Sequence, residues 1–174
     1  GGGRALLHSR LSDGFDNMNG TGSMAESLRE TADVETSSDA YAARFDGKTG
    51  AWILDRQAGA VLKLLEGMGR ESHLLEVGGG HGQLAGPLIE AGYELTVVGS
   101  SSECRKRLRS FEETGRCHFM VADLLALPFS DQAFDVVLSI RLLTHCRRWE
   151  LLVRELCRVA RHRVIVEFPV HQGL

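Results

Sequence analysis

From Ala51 onward the apolar residues Ile53, Leu54, Ala58, Val61, Leu62, Leu65 and Met68 recur at steps of three and four, and Gly67 and Gly69 close the run. That period predicts an amphipathic helix stopped by the glycines. Beyond it the pattern changes to short, almost continuously apolar runs: "HLLEV" (73–77), "ELTVVG" (94–99), "HFMVA" (118–122), "FDVVLSI" (134–140) and "RVIVEF" (163–168). Between them lie segments of helical spacing at 81–91, 101–113 and 147–160, the last with Trp149, Leu152, Leu156 and Val159 on one face. A strand apolar on both faces must be covered on both faces. The alternation therefore predicts an α/β fold, a parallel sheet between two helical layers, doubly wound because its crossovers are right-handed.

Residues 1–38 carry no such period and are rich in Gly, Ser, Thr, Asn and Asp. A segment of that kind cannot bury enough apolar surface to offset its ordering entropy. It reads as a disordered tail or an expression leader, with "GTGSM" before Met24 resembling a cloning scar. The chain of 174 residues then holds one domain, 39–174, since it is too short for two ordinary α/β domains.

Composition narrows the function. The chain is 43% hydrophobic and 25% charged with a formal charge of −3, a globular profile without the basic field that an obligate nucleic-acid partner demands. No apolar window approaches the roughly 18 residues of a membrane span, and no signal peptide opens the chain, so the expected location is the cytoplasm. Cys104, Cys117, Cys146 and Cys157 are scattered without a C-x-x-C pair or zinc-type spacing, which predicts free thiols and no metal site.

The chemistry is concentrated after the first strand. Gly78, Gly79, Gly80 and Gly82 stand between strand and helix, where bare backbone lets a nucleotide approach N–H groups at a helix start. A turn that needs positive φ explains one or two glycines but not four in five positions. The dinucleotide fingerprint G-x-G-x-x-G fails, because Gln83 stands where its last glycine belongs; the spacing is G-x-G-x-G. Glu76, just before the loop, adds an acid at the strand end.

"LLEVGGGHG" resembles the first motif of class I S-adenosylmethionine-dependent methyltransferases, "VADLLALPFSDQAFDVVLSI" resembles their third-strand acid and fourth strand, and "ELCRVARHRVIVEFP" resembles the next helix and fifth strand. The match covers residues 41–169 and looks most like the small-molecule, quinone-biosynthesis-like branch. The resemblance implies a Rossmann-like three-layer α/β/α domain of strand order 3-2-1-4-5. It implies S-adenosylmethionine as cofactor, with Gly78, Gly80 and Gly82 beside its methionine part and Glu76 receiving its ammonium group. Asp123 matches the acceptor of the adenine amino group, with Leu124 beside it, although a turn-forming Asp is the competing role. Ser139 matches the position whose backbone runs along the sulfonium end, and Tyr41 and Arg44 resemble a segment that folds over the cofactor, Arg44 clamping its carboxylate.

Two departures stand out. The acid that ends the family's second strand and holds the ribose is replaced by Gly99, leaving Ser100 and Ser101, or Glu103, to take that contact; Ser100 and Glu103 also have capping-box spacing. The family's final strand hairpin is missing after "HQGL", which suggests a fragment, or a fifth-strand edge covered by the N-terminal segment or by a second copy in a homodimer. His145, past the fourth strand, lies where open α/β sheets place a substrate and is the candidate acid–base residue, with packing in a loop as its alternative role. His81 and His171 are further candidates. The Asn/Asp-Pro-Pro-Tyr motif is absent where "SIRLLTH" stands, which argues against nucleic-acid N-methylation; a small-molecule acceptor is what the resemblance implies. The competing readings are a catalytically inactive binding or interaction module of the same fold and, opposed by Gln83 and Gly99, an NAD-dependent oxidoreductase.

Overall fold

The structure, a computed structural model, describes residues 29–167. Its centre is a five-stranded parallel sheet of order β3-β2-β1-β4-β5. The strands are β1 (His73–Val77), β2 (Glu94–Gly99), β3 (Cys117–Val121), β4 (Phe134–Ser139) and β5 (Ala160–Val166). This is the doubly wound order expected. β1 is the middle strand, with Glu76 in register with Val97 on one side and Leu138 on the other.

The pleat divides the core into two layers. Leu74, Val97, Val136 and Leu138 face one layer, closed by Ala58, Val61 and Leu65 of the first long helix, Gly47–Leu64 and its end, and by Leu84, Ala85 and Leu88. Leu75, Val77, Val98 and Val137 face the other, closed by Leu152, Leu156 and Val159 of the helix Trp149–Val159. Alternation along β1 places Glu76 on the same face as Leu74, one step nearer the carboxyl end of the sheet.

In chain order the helices are α1 (Ala32–Thr36), α2 (Asp39–Ala42), α3 (Gly47–Leu64), α4 (Ala85–Glu90), α5 (Arg109–Glu112) and α6 (Trp149–Val159). Three boundaries differ from the pattern-based expectation. The helix expected at 101–113 is broken into a 3-10 turn, Ser102–Arg105, and the short α5. Cys104 is drawn into the room left by two glycines, its Cβ lying 2.7 Å from where a Gly80 Cβ would stand and 2.8 Å from that of Gly99. β5 starts at Ala160, directly after α6, because Ala160 pairs with Phe134 and Arg163 with Val136 across an irregularity that holds the polar Arg161 and His162, which an apolar run does not announce. The helix expected at 81–91 is only α4, since Gly82 at φ +75° keeps the preceding turn open.

The largest correction concerns the tail. Residues 29–38, expected to be unstructured, contain α1 and bury Glu30, Asp33, Thr36 and Ser37. Their burial is polar, so no apolar period announces it. Residues 1–28 and His171 lie outside the described residues. The segment also does not pair with β5. It crosses the carboxyl ends of the strands, drawn there by donors on Ser100 and on the loop after β4, while β5 pairs with β4 and exposes Arg161, His162 and Arg163. Among the described residues no helix is long and apolar enough to cross a membrane.

Leu156, fully buried in the layer under α6, tests the packing. Leu156→Ala is expected to lower unfolding stability by about 2–5 kcal/mol in urea titrations, the range for cavities left by large buried aliphatics.

Candidate functional site

The loop after β1 is built from backbone that a side chain would obstruct. Gly78 has φ +77° and donates its N–H to the Val98 carbonyl (2.8 Å), and a Cβ there would come within 2.6 Å of Leu142 Cδ2. A Cβ on Gly79 would strike the Glu76 carboxyl, and one on Gly80 would strike the Ser37 hydroxyl. Gly82, also at positive φ, closes a turn onto the Gly79 carbonyl (2.9 Å). The glycines are required by close approach on three sides, of which one is the N-terminal segment itself.

That segment forms a strap. Glu30 accepts from the Arg147 N–H (3.1 Å), the Ala32 N–H (3.2 Å) and the Cys146 thiol (3.1 Å) at the β4 side. Burial by itself would raise the Glu30 pKa, but these hydrogen bonds outweigh it and hold it below its ordinary value. Asp33, 0% exposed, accepts from the Ser100 N–H (2.7 Å), the Ser100 hydroxyl (2.5 Å) and the Cys104 thiol (3.3 Å) at the end of β2. Asp39 pairs with Lys106 and Arg107, both at 2.6 Å. The strap thus runs from the loop after β4, over Gly80, to the loop after β2.

Under its far end lies a cluster of rings and charges. Tyr41, buried in α2 by a turn that the Ser38 side chain caps, has its ring 6.2 Å from His81, 6.0 Å from His145 and 5.9 Å from Phe45. Arg141, just after β4, places its guanidinium 4.3 Å from the Phe45 ring centroid and 5.7 Å from that of Tyr41. Burial, strengthened by the Arg141 and Arg107 charges, pulls the His81 pKa down to about 4, so this imidazole is neutral at pH 7. Glu76, 2% exposed, has its pKa pushed up to about 8 by burial, which the Arg141 charge only partly offsets.

The buried side-chain polar atoms without a hydrogen-bond partner among the described residues fall on five residues: Glu76 Oε2, both His81 nitrogens, Gln83 Oε1, both terminal Arg141 nitrogens and Glu167 Oε2. Charge interactions join Arg141 to Glu76, His81 and Glu167, and Gln57 bridges Gln83 to Glu167 through hydrogen bonds of 3.4 Å and 2.5 Å. Folded proteins leave few such atoms, so their gathering at one end of the sheet makes it the candidate functional site.

Of the residues singled out from sequence, the structure sets Tyr41 beside both His81 and His145, Glu76 against the bare Gly79 backbone, Gly80 under Ser37, and Ser100 at the β2 end, all at the carboxyl ends of the strands where an open parallel sheet has its crevice. Others are placed differently. Ser100 is occupied by Asp33, and the cap of the 3-10 turn is Ser101, which accepts from the Glu103 N–H (3.3 Å). The Leu124 side chain is fully buried in the core beneath α6. Asp123 Oδ1 accepts from the Leu125 N–H (3.0 Å), the turn role. Ser139 is sealed in the sheet, its hydroxyl donating to the Val77 carbonyl (3.1 Å) and its carbonyl accepting from Glu167 (3.3 Å). Arg44 is exposed, 4.8 Å from the Tyr41 ring, and it is Arg141 that reaches inside. Asp33, Arg141 and Glu167 were missed. The visible signals are single charges inside the apolar runs "IRLL" and "VIVEF". The thiols of Cys104, Cys117 and Cys146 are pushed up to about 11, 12 and 12 by burial and are inert at neutral pH.

Comparison with known proteins bears on this crevice. The YcgJ protein from Bacillus subtilis is 26% identical, with a TM-score of 0.56 over 62% of this chain and 47% of its own. The [4+2]-cyclase SpnF is 26% identical at a TM-score of 0.51 over 62% and 41%. The Haemonchus contortus phosphoethanolamine N-methyltransferase 2, solved with phosphomonomethylethanolamine and S-adenosylhomocysteine, is 23% identical at a TM-score of 0.57 over 64% and 27%. The chain thus spans less than half the length of each of these three. No curated protein matches it. The family model described as a methyltransferase domain matches residues 75–167, from the middle of β1 through the end of β5. With the sheet order, the glycine loop and the buried acid at the end of β1, that match shows that the chain belongs to the methyltransferase domain family, class I enzymes whose cofactor is S-adenosylmethionine.

Proposed function

We propose that this chain binds S-adenosylmethionine in the crevice above β1 and transfers its methyl group to a small-molecule acceptor. The observation that carries the proposal is the gathering of partnerless buried polar atoms around Glu76 and Arg141. The methionine end of the cofactor bears an ammonium and a carboxylate, and the crevice offers a buried carboxyl and a buried guanidinium with free atoms. The residues fit that half. Bound there, the cofactor supplies a methyl group on a sulfonium, open to in-line displacement.

The chain's own part is to orient and to exclude water. The glycine loop admits the ligand close to backbone, Glu76 holds its ammonium, and Tyr41 and Phe45 cover it from the strap side. Loss of the sulfonium charge in the transition state favours such a dry site. His145, edge-on to Tyr41, is the residue we assign to accept a proton when the acceptor must lose one, a role the neutral, low-pKa His81 fills poorly.

A second reading, a domain that binds without methyl transfer, is favoured by one observation. Where the nucleoside would lie, Asp33 holds both Ser100 donors and Ser37 stands on Gly80. An acid at Gly99 is also sterically excluded, since its Cβ would lie 2.8 Å from Cys104 and 3.0 Å from the Phe119 ring.

Calorimetry with S-adenosylhomocysteine tests the first reading. Micromolar binding is expected, lost in Gly80→Arg and reduced in Glu76→Gln; absence of binding to the wild-type chain refutes it. Because Glu76 titrates near 8 when free and must be ionised to hold an ammonium, binding below that pH releases a proton. Affinity should therefore rise with pH, by at most about tenfold per unit, and level off above about 8, and Glu76→Gln should lose the slope. Under the second reading the wild-type chain binds weakly and Asp33→Ala gains about tenfold, the equivalent of about 1.4 kcal/mol of competing hydrogen bonding. Equal affinity of the two proteins removes that reading.

A further inference from the structure

Arg141 is unusual in three independent respects. It is only 9% exposed, and both terminal nitrogens of its guanidinium are buried without a hydrogen-bond partner. A guanidinium is always charged in proteins and carries five donors, so leaving its two ends unpaired is among the costliest omissions a fold can make. Its backbone has φ +63°, a left-handed conformation that a long side chain rarely adopts and that recurs where function fixes a residue. It also stands at the carboxyl end of β4, beside the middle strand, which is where open parallel sheets receive ligands.

Among the described residues no anion hydrogen-bonds to its terminal nitrogens. The Phe45 and Tyr41 rings flank the guanidinium at 4.3 Å and 5.7 Å and hold its plane, but their faces leave the terminal N–H groups free. Glu76 and Glu167 act on it through charge, yet neither closes an ion pair with it, and each keeps a buried oxygen of its own unpartnered. Two acids and a guanidinium held apart, all with free atoms, form a receptor for a ligand that brings both signs of charge. The fork of two parallel N–H groups matches a carboxylate.

We propose that Arg141 binds a carboxylate group of the ligand in this crevice, in place of the exposed Arg44 that the sequence suggested. The proposal rests on the cofactor reading given above. The carboxylate comes either from the methionine end of the cofactor or from the methyl acceptor, and both present the same group to the same two nitrogens.

Titration calorimetry on the wild-type chain, Arg141→Gln and Arg141→Lys separates the sources. The probes are S-adenosylhomocysteine, 5′-methylthioadenosine, which lacks the amino-acid end, and benzoate against benzamide on protein saturated with S-adenosylhomocysteine. If the cofactor supplies the carboxylate, Arg141→Gln weakens S-adenosylhomocysteine about 30-fold, as for a lost charge-assisted hydrogen bond, and leaves 5′-methylthioadenosine unchanged. If the acceptor supplies it, S-adenosylhomocysteine affinity is unchanged, while the saturated wild-type chain binds benzoate but not benzamide and Arg141→Gln loses benzoate. In either case Arg141→Lys, which keeps the charge and guards against a folding defect, retains part of the affinity. Arg141→Gln that binds S-adenosylhomocysteine and benzoate as the wild type does overturns the proposal and leaves the cofactor reading standing. A wild-type chain that binds neither nucleoside overturns the cofactor reading and this proposal with it.

Discussion

A charge taken out of water must find a partner, and at the carboxyl edge of this sheet the chain buries five ionisable side chains, Glu30, Asp33, Glu76, Arg141 and part of Glu167. The arrangement of the whole functional end follows from how each is answered. Glu30 and Asp33 are answered from within, by backbone N–H groups, a serine hydroxyl and two thiols, and in being answered they fasten the N-terminal strap across the strands. Glu76, Arg141 and Glu167 keep free atoms. The site is therefore two halves of different character, one closed by the chain's own carboxylates and one left with unpaired charge.

The glycine loop makes this proximity possible. Without Cβ atoms at Gly79 and Gly80, the Glu76 carboxyl can lie beneath the loop and Ser37 can rest upon it. The same economy of side chains recurs at Gly99, whose missing Cβ makes room for Cys104 and Phe119. Strap and sheet fit each other: a carboxylate arrives from Asp33 at a strand end where no side chain can grow, and no neighbouring acid repels it. Cys104 is drawn into that space and shortens the following helix to a 3-10 turn.

The fold was legible wherever burial was apolar. The five strands and the α3 and α6 helices follow from runs of Leu and Val that need cover on one or both faces, the sheet order is what the family resemblance implies, and the glycine loop with Glu76 is visible as a departure from the apolar pattern. Ser139 and Leu124 lie with their side chains buried, the first against the Val77 carbonyl and the second in the core beneath α6, a direction that position along the chain does not reveal. Asp33 shows a second limit. It sits in "ADVETSSDA", a polar stretch with no period, and its burial depends on Ser100, 67 residues away.

By itself, the sequence determined the layer architecture, the strand succession and the position of the bare loop, because these are set by local period and by the requirement that apolar faces be covered. Only the tertiary structure decided which charges meet. Whether Arg44 or Arg141 enters the crevice, and whether Ser100 faces a ligand or Asp33, depends on side-chain direction and on contacts between residues far apart in the chain. Such pairings leave no period to read. Their specificity lies in single hydrogen bonds among buried groups, which a sequence shows only as isolated polar letters.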